Sequence, residues 1–187
     1  MTSTAIKWAP TMEARTKEEW DILSAEWEGY KQALADRVLE HLMELDREES
    51  AFPLSRLGHS LQVATRASRA NRDDQYVFCA LIHDIGDTLA TYNHADIAAA
   101  VVKPFVRPEY HWMVEKHNIF QGYYFWHHIG GNRNAREQFR GHQWFDLTEE
   151  FCAEYDQPAF DVDYESYDLE EFRPLVREVM SRPLAGS

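Results

Sequence analysis

The feature that most constrains the fold is an apolar stretch that ends abruptly in two polar side chains. Residues 76–82 are all apolar or aromatic, and His83 and Asp84 follow them directly. Burying an imidazole beside a carboxylate is unfavourable unless both find a partner, and a metal cation suits both. Because neighbouring helix positions diverge by about 100°, Asp84 could reach one ion or bridge two. The pair taken alone is equally typical of an ordinary helix C-terminus, where the helix dipole stabilises a histidine.

The rest of the chain predicts helices and no sheet. Apolar residues recur three or four positions apart, and no alternating segment is bounded by hairpin signals. The first helix begins with a capping box at Thr16 and Glu19, and its apolar residues predict a face packed on the core. The helix that holds the apolar stretch is expected to end at Gly86, and Gly122 is a candidate break in a later helix. The predicted helices cover residues 16–46, 54–70, 73–85, 93–103, 109–126, 134–139, 144–156 and 168–181.

Composition limits the class of protein. With 187 residues, 44% hydrophobic and 13% aromatic, the chain can bury a sizeable core. We expect an all-α fold, with a loosely ordered segment over 1–15 and a single helical domain over 16–187. The net charge of −13 argues against nucleic acid as a partner. Cys79 and Cys152 show neither a disulfide pattern nor a thiolate zinc pattern.

No secretory leader and no apolar run of about 18 residues is recognisable in the sequence. We therefore expect a cytoplasmic protein with no membrane partner. The sequence leaves its oligomeric state open.

Several of the nine histidines are spaced as a ligand set. One lies a helix before the dyad, one lies a short loop after it, and a third lies on the next helix. An aspartate beside a later apolar face completes the set. Each of these residues alone is more often an ordinary core or surface residue, but they lie on separate predicted helices. The sequence therefore favours a metal cluster of His59, His83, Asp84, His94, His117 and Asp156.

These positions resemble the ligand pattern of the HD-domain superfamily of all-helical metalloproteins. The superfamily's dyad, upstream histidine and last carboxylate correspond to His83 and Asp84, His59 and Asp156. Two further histidines of its two-metal members correspond to His94 and His117. The resemblance covers about residues 54–180, and it implies a helical bundle with a buried dinuclear metal site.

Within the superfamily, the local motifs are similar to those of the mixed-valent di-iron oxygenases, of the myo-inositol oxygenase type and the hydroxyphosphonate-cleaving type. The shared segments are residues 59–62, 81–86, 155–156 and 172–175. The resemblance implies two Fe ions in the mixed-valent Fe(II)/Fe(III) state, bridged by the catalytic Asp84. O₂ and a small polar metabolite would be the reaction partners, and a C–C or C–P bond next to a hydroxyl would be cleaved. The resemblance assigns His59, His83, Asp84 and Asp156 to one ion, and Asp84, His94 and His117 to the other.

The chain departs from the family directly after the dyad. A Lys or His is common there in both hydrolases and oxygenases, whereas this chain has Asp87. In the family that residue helps to bind anionic or hydroxyl groups, so Asp87 raises the alternative of a cationic substrate group. The residues that gate the phosphonate type are not recognisable, and Phe52 and Pro53 occupy that region.

Two other functions stay open. One is a metal-dependent phosphohydrolase that uses Mn or another divalent metal and acts on a nucleotide or other phosphate ester. The other is a non-enzymatic module on a degenerate HD scaffold, which would require some of the ligands to be missing.

Other side chains near the ligands are candidates for substrate binding. Arg56 lies three residues before His59 and could bind a carboxylate or phosphate-like group, and Gln62 shares the same helix face. His127 and His128 either border the pocket or are ordinary residues of an aromatic-rich helix. The remaining histidines, at positions 41, 111 and 142, are expected on the surface. The candidate set is Arg56, Gln62, Asp87, Gln121, Tyr124, His127 and His128.

Overall fold

All regular structure in the described residues is helical. The computed structural model describes residues 10–47 and 52–184, so most of the predicted loose segment 1–15 lies outside the described residues. The all-α prediction is confirmed for the described part. Its α-helices are α1 (Lys17–Gln32), α2 (Leu34–Met43), α3 (Arg56–Arg69), α4 (Asp74–Ile82), α5 (His94–Val102), α6 (Pro108–Phe125), α7 (Phe145–Glu150) and α8 (Leu169–Met180). Within the described ranges, none of these helices is both long enough and apolar enough to cross a membrane.

The first predicted helix is two helices. α1 begins with the expected capping box of Thr16 and Glu19, but the chain leaves helical geometry at Ala33 and starts again as α2. The prediction that this helix packs an apolar face on the core is confirmed for its second half, α2, which buries Ala35, Val38, Leu39 and Leu42. It is wrong for the first half, because none of the residues of α1 is buried.

α4 is the central helix of the fold. Residues 76–82 are all buried, as the apolar stretch predicts, and α3, α5, α6 and α8 all contact this helix. Asp73 caps its first turn by accepting a hydrogen bond from the backbone N–H of Tyr76 at 3.1 Å. A helix surrounded in this way fixes the position of the residues at its C-terminal end.

The predicted C-terminus of α4 is wrong by one turn. The α-helix ends at Ile82, and residues 83–89 form consecutive turns. Gly86 is therefore not a helix C-cap. Because Gly86 has no side chain, α5 can approach it closely. A Cβ at this position would lie 2.5 Å from the carbonyl oxygen of His94 and 2.7 Å from Cβ of Ile97. The tight turns thus bring the start of α5 against the end of α4.

The predicted break of α6 at Gly122 is also wrong, because α6 is continuous from Pro108 to Phe125. A Cβ at Gly122 would lie 2.3 Å from the indole ring of Trp126. Glycine is present because that ring packs directly on the helix backbone.

The segment after α7 changes its helical geometry. Residues Phe151–Asp156 form a π-helix, whereas the sequence predicts one uninterrupted helix over 144–156. A π turn contains more residues than an α turn and so rotates the side chains that follow it. Cys152, Tyr155 and Asp156 are all buried in this segment. The π-helix thus ends with the carboxylate of Asp156 inside the protein.

The contact between Gly86 and α5 gives a prediction about stability. Gly86→Ala should destabilise the protein by about 1–3 kcal/mol, because the added methyl group would clash with backbone and Cβ atoms that cannot be displaced without moving α5. Gly29→Ala, in the exposed interior of α1 with nothing within 4 Å of the new Cβ, should stabilise by about 0.5–1 kcal/mol. Urea denaturation of both variants measures these changes. Equal stability of the two variants would contradict the proposed close approach.

Candidate metal centre

Five helical segments bring the six predicted ligands to one place. His59 lies in the first turns of α3, and His83 and Asp84 lie directly at the end of α4. His94 is the first residue of α5, and His117 is in the middle of α6. Asp156 is the last residue of the π-helix. His83, His117 and Asp156 are each at most 2% exposed, so the cluster is buried except on one side.

One group of donor atoms is formed by His59, His83 and Asp156. The Nε2 atom of His59 lies 3.3 Å from Nε2 of His83 and 3.2 Å from Oδ1 of Asp156. The distance from Nε2 of His83 to that oxygen is 3.8 Å. Ligand atoms bound about 2.0–2.2 Å from one ion are separated by roughly 3.0–3.6 Å. The group therefore has nearly the spacing of a metal-ligand set.

A second group of donor atoms lies beside the first. The Nε2 atoms of His94 and His117 are 3.3 Å apart. Each of them faces Oδ1 of Asp84, at 3.3 Å from His94 and 3.2 Å from His117. These three atoms have the same close spacing as the first group.

The carboxylate of Asp84 lies between the two groups. While its Oδ1 faces His94 and His117, its Oδ2 lies 3.4 Å from Nε2 of His83 and 3.7 Å from Nε2 of His59. The two oxygens of one carboxylate thus each face a pair of imidazoles.

The other nitrogen of each imidazole is engaged with the backbone. Four carbonyl oxygens accept these Nδ1–H bonds: Ala159 from His59 at 3.0 Å, Ala80 from His83 at 2.9 Å, Thr91 from His94 at 3.3 Å and Val114 from His117 at 2.7 Å. In a neutral imidazole a proton on Nδ1 leaves a lone pair on Nε2. All four rings are therefore oriented with an acceptor atom towards the cluster, as metal-binding histidines are.

This arrangement fits a bound cation. Nε2 lone pairs that face each other at 3.3 Å cannot satisfy one another, because neither carries a proton to donate. Oδ2 of Asp156 is also buried without a hydrogen-bond partner. Buried polar atoms are normally paired, and a carboxylate oxygen beside an imidazole cluster is one that a cation could pair with. A metal ion accepts electron pairs from both kinds of atom, so the chemistry of the donor set agrees with its geometry.

The protonation states of the ligands make metal binding at this cluster depend on pH. Burial lowers the pKa of His83 to about 4, so this ring is neutral at pH 7. Burial also opposes the charge of Asp84, but the imidazoles of His83 and His117 hold the pKa of its carboxyl well below the usual range. Against the effect of burial, the hydrogen bond and charge of Asp156 raise the pKa of His59, and those of Asp84 raise the pKa of His117. Protons therefore compete with a metal at His59 and His117 as the pH falls.

A cavity of about 560 Å³ opens onto the cluster. Five of the six ligands line it, and the sixth, His83, is fully buried behind them. The rest of the wall combines three phenylalanines with side chains that can form hydrogen bonds: Phe52, Arg56, Asp87, Thr91, Asn118, Gln121, Tyr124, Phe125, Gln157 and Phe160. A small polar molecule can therefore reach the donor atoms.

Four of the seven candidate substrate residues line this cavity, namely Arg56, Asp87, Gln121 and Tyr124. The guanidinium of Arg56 forms an ion pair with the buried carboxylate of Asp87. Asp87 is therefore already paired with a cation of the protein, which argues against the alternative of a cationic substrate group. Gln121 donates a hydrogen bond from Nε2 to Oδ1 of Asp156 at 3.1 Å.

The structure places the other three candidates elsewhere. Gln62 is buried with its amide directed at the loop after Asp156: Nε2 donates to the carbonyl of Asp161 at 2.8 Å, and Oε1 accepts from its N–H at 3.1 Å. His127 and His128 are exposed in a 3₁₀ turn that follows α6, with ring centroids 3.8 Å apart. None of these three lines the cavity, and a role for them in substrate binding stays a prediction.

Sequence reasoning missed some of the cavity wall. Phe160 stacks on the ring of His59 with centroids 4.5 Å apart, and Phe52 packs on Phe160. Both lie outside helices, where no periodicity indicates which way a side chain points. Asn118 follows His117 directly and Thr91 lies one turn before His94, so proximity to a ligand could have indicated these two.

Comparison with known proteins identifies the family. A family model described as HD domain matches residues 56–163, which is more than half of the chain and includes all six clustered ligands. The chain belongs to the HD-domain family. No curated protein matches the chain. HD domains form a superfamily of metal-dependent enzymes of the hydrolase and phosphohydrolase type, and membership is consistent with donor groups that could hold a metal ion.

The clustered donors give a prediction about metal content. His83→Ala removes a fully buried ligand and should reduce the metal retained after purification by at least half. His142→Ala should leave it unchanged, because that ring stacks on Trp112 at 4.2 Å, outside the cluster. Elemental mass spectrometry of both variants, with circular dichroism to verify folding, makes the comparison. Equal metal content in the two variants would show that the ligands are misassigned.

Proposed function

We propose that this HD-domain protein is an O₂-dependent di-iron oxygenase that cleaves a C–C or C–P bond next to a hydroxyl of a small polar metabolite. The observation that carries the dinuclear part is the position of Asp84, whose two oxygens each face a pair of imidazoles. Under this proposal His59, His83 and Asp156 would hold one ion, His94 and His117 would hold the other, and Asp84 would offer one carboxylate oxygen to each.

The donor set supports iron. All six ligands are imidazoles or carboxylates, a combination that binds Fe and other first-row metals, and no thiolate contributes to the cluster within the described ranges. When bound as a mixed-valent pair, iron would activate O₂ and relay to it the electrons that the substrate loses as its bond is cleaved. The similarity of residues 59–62 and 81–86 to the di-iron oxygenases is the second support.

The protein's own groups position the substrate and the ligands. The four backbone carbonyls that accept from Nδ1 hold the imidazoles, and Gln121 holds the carboxylate of Asp156. Phe52, Phe125 and Phe160 form an apolar wall that limits the access of water to the reacting carbon. Thr91 and Asn118 supply uncharged hydrogen-bonding groups that can orient hydroxyls of the substrate.

One observation favours a metal-dependent phosphohydrolase as the second candidate. The side chain of Arg56 lines the cavity and is 42% exposed, although it is paired with Asp87. A guanidinium in that position could also contact a phosphate ester. With Mn or another divalent metal, such a site would supply a bound hydroxide and stabilise the leaving oxygen.

The dinuclear assignment predicts a particular pattern of metal loss. The wild-type protein should bind two Fe per chain, and Asp84→Ala should lose both because the bridge is removed. His59→Ala and His94→Ala should each retain about one ion. Iron content per folded chain, measured by elemental mass spectrometry, tests this. A wild-type stoichiometry of one would contradict the dinuclear site, and less than one would favour the non-enzymatic module.

The oxygenase assignment is tested on protein that is purified without air and loaded with iron. Partial oxidation should produce the electron paramagnetic resonance signal of a coupled Fe(II)/Fe(III) pair. Fully loaded protein without such a signal would contradict the oxygenase. Hydrolysis of phosphate esters with Mn²⁺, Co²⁺ or Ni²⁺ at the same rate with and without O₂ would favour the phosphohydrolase.

A further inference from the structure

Helix α1 carries large apolar side chains that the other described residues cover only in part. None of the residues of α1 is buried, and Trp27 and Tyr30 are 58% and 61% exposed. Among the described residues, α1 contacts the rest of the structure mainly through α2. A helix of this length is marginal in water unless an apolar face is packed. The exposed aromatic face therefore indicates a partner.

The spacing of this face specifies the kind of partner. Its apolar residues alternate three and four positions apart, as do the a and d positions of a coiled coil: Trp20, Leu23, Trp27 and Tyr30. These four side chains line a groove of about 510 Å³ together with Met12, Arg15 and Glu26. A seam with this period is complementary to a second helix with the same period.

We propose that α1 packs in parallel against α1 of a second copy of this chain and forms a homodimer. A two-fold symmetric contact between identical surfaces is the commonest way in which soluble proteins associate. The same seam is present on both copies, so each apolar residue meets its counterpart. The contact does not depend on the function proposed above, because α1 supplies neither a metal ligand nor a residue of the metal-centre cavity.

Charges beside the seam decide the orientation. In this seam Trp27 is an a position, and Glu26 precedes it. In a parallel pair the residue before an a position faces the residue five positions later on the other helix, so Glu26 of each copy faces Lys31 of the other. In an antiparallel pair Glu26 would face Glu26, and Lys31 would face Lys17. Lys31 contacts Glu28 of its own helix at 3.3 Å, but both side chains are largely exposed and such a pair exchanges partners easily. The parallel arrangement therefore has two attractions where the antiparallel one has repulsions.

The size of the seam predicts a modest affinity. A helix of this length extends about 24 Å, which gives an interface near the lower limit for specific association. We therefore expect a dissociation constant in the micromolar range.

The test is sedimentation equilibrium of the full-length, metal-loaded protein over a range of concentrations. The wild type should dimerise reversibly. Trp27→Glu, which places a charge in the seam, should raise the dissociation constant at least 100-fold. Ala25→Glu adds the same charge on the opposite, exposed face of α1 and should leave the constant nearly unchanged. Metal content and circular dichroism should match the wild type in both variants, because neither residue is buried.

The orientation is tested with the flanking charges. Lys31→Glu should weaken a parallel dimer by about fivefold, and combining it with Glu26→Lys should restore the affinity. In an antiparallel dimer Lys31→Glu would instead strengthen association, because it would face Lys17, and this result would overturn the parallel arrangement. A wild type that is monomeric at every concentration would overturn the dimer, and a dimer that is insensitive to Trp27→Glu would overturn the α1 seam. If the wild type is monomeric but dimerises when residues 1–9 are deleted, the groove binds the chain's own N-terminal segment in the intact protein.

Discussion

The organisation of this protein depends on unsatisfied electron pairs that converge inside it. Four imidazoles have their Nδ1–H groups committed to backbone carbonyls, so their Nε2 lone pairs all point towards the carboxylate of Asp84. Such a group of acceptors is unfavourable in a buried site, because no member can donate to another. A cation removes the conflict, and the fold around the cluster can be understood as the means of holding these acceptors together.

Each surrounding element contributes to that position. α4 is buried from Tyr76 to its last residue, Ile82, and His83 and Asp84 follow directly and face the cluster. Gly86 lets α5 approach until His94 meets His117, and the π-helix turns Asp156 inward. Gln62 fixes the loop that follows Asp156 through two hydrogen bonds to Asp161, which lie outside the cavity but support its wall. Backbone geometry, together with packing, therefore holds the acceptor atoms close to one another.

Much of this could be predicted from the sequence because the relevant signals are local or periodic. The all-helical fold follows from the three-to-four spacing of apolar residues, and the ligand set follows from histidines and aspartates that recur on separate helices. The end of α4 and the π-helix could not be predicted, because tertiary contacts of Gly86 and Asp156 set them. The prediction that the apolar face of α1 packs on the core was wrong for a related reason. Periodicity shows that a helix has an apolar side but not which surface covers it.

Long-range pairing explains the remaining differences at the site. Asp87 departs from the residue usual in the family, yet Arg56 supplies a cation from another helix, and nothing local to either position shows that they meet. Gln62 shares a helix face with His59, but its amide is engaged by the backbone of Asp161, which is 99 positions later in the sequence. His127 and His128 lie in the exposed 3₁₀ turn directly after α6, where helical periodicity no longer indicates which way a side chain points.

The dinuclear site is tested most directly by a crystal structure of the iron-loaded protein with anomalous diffraction recorded at the iron absorption edge. Two anomalous peaks are expected, one among His59, His83 and Asp156 and the other between His94 and His117, with one oxygen of Asp84 directed at each. A single peak, or iron bound outside these side chains, would contradict the central claim that Asp84 bridges two metal ions.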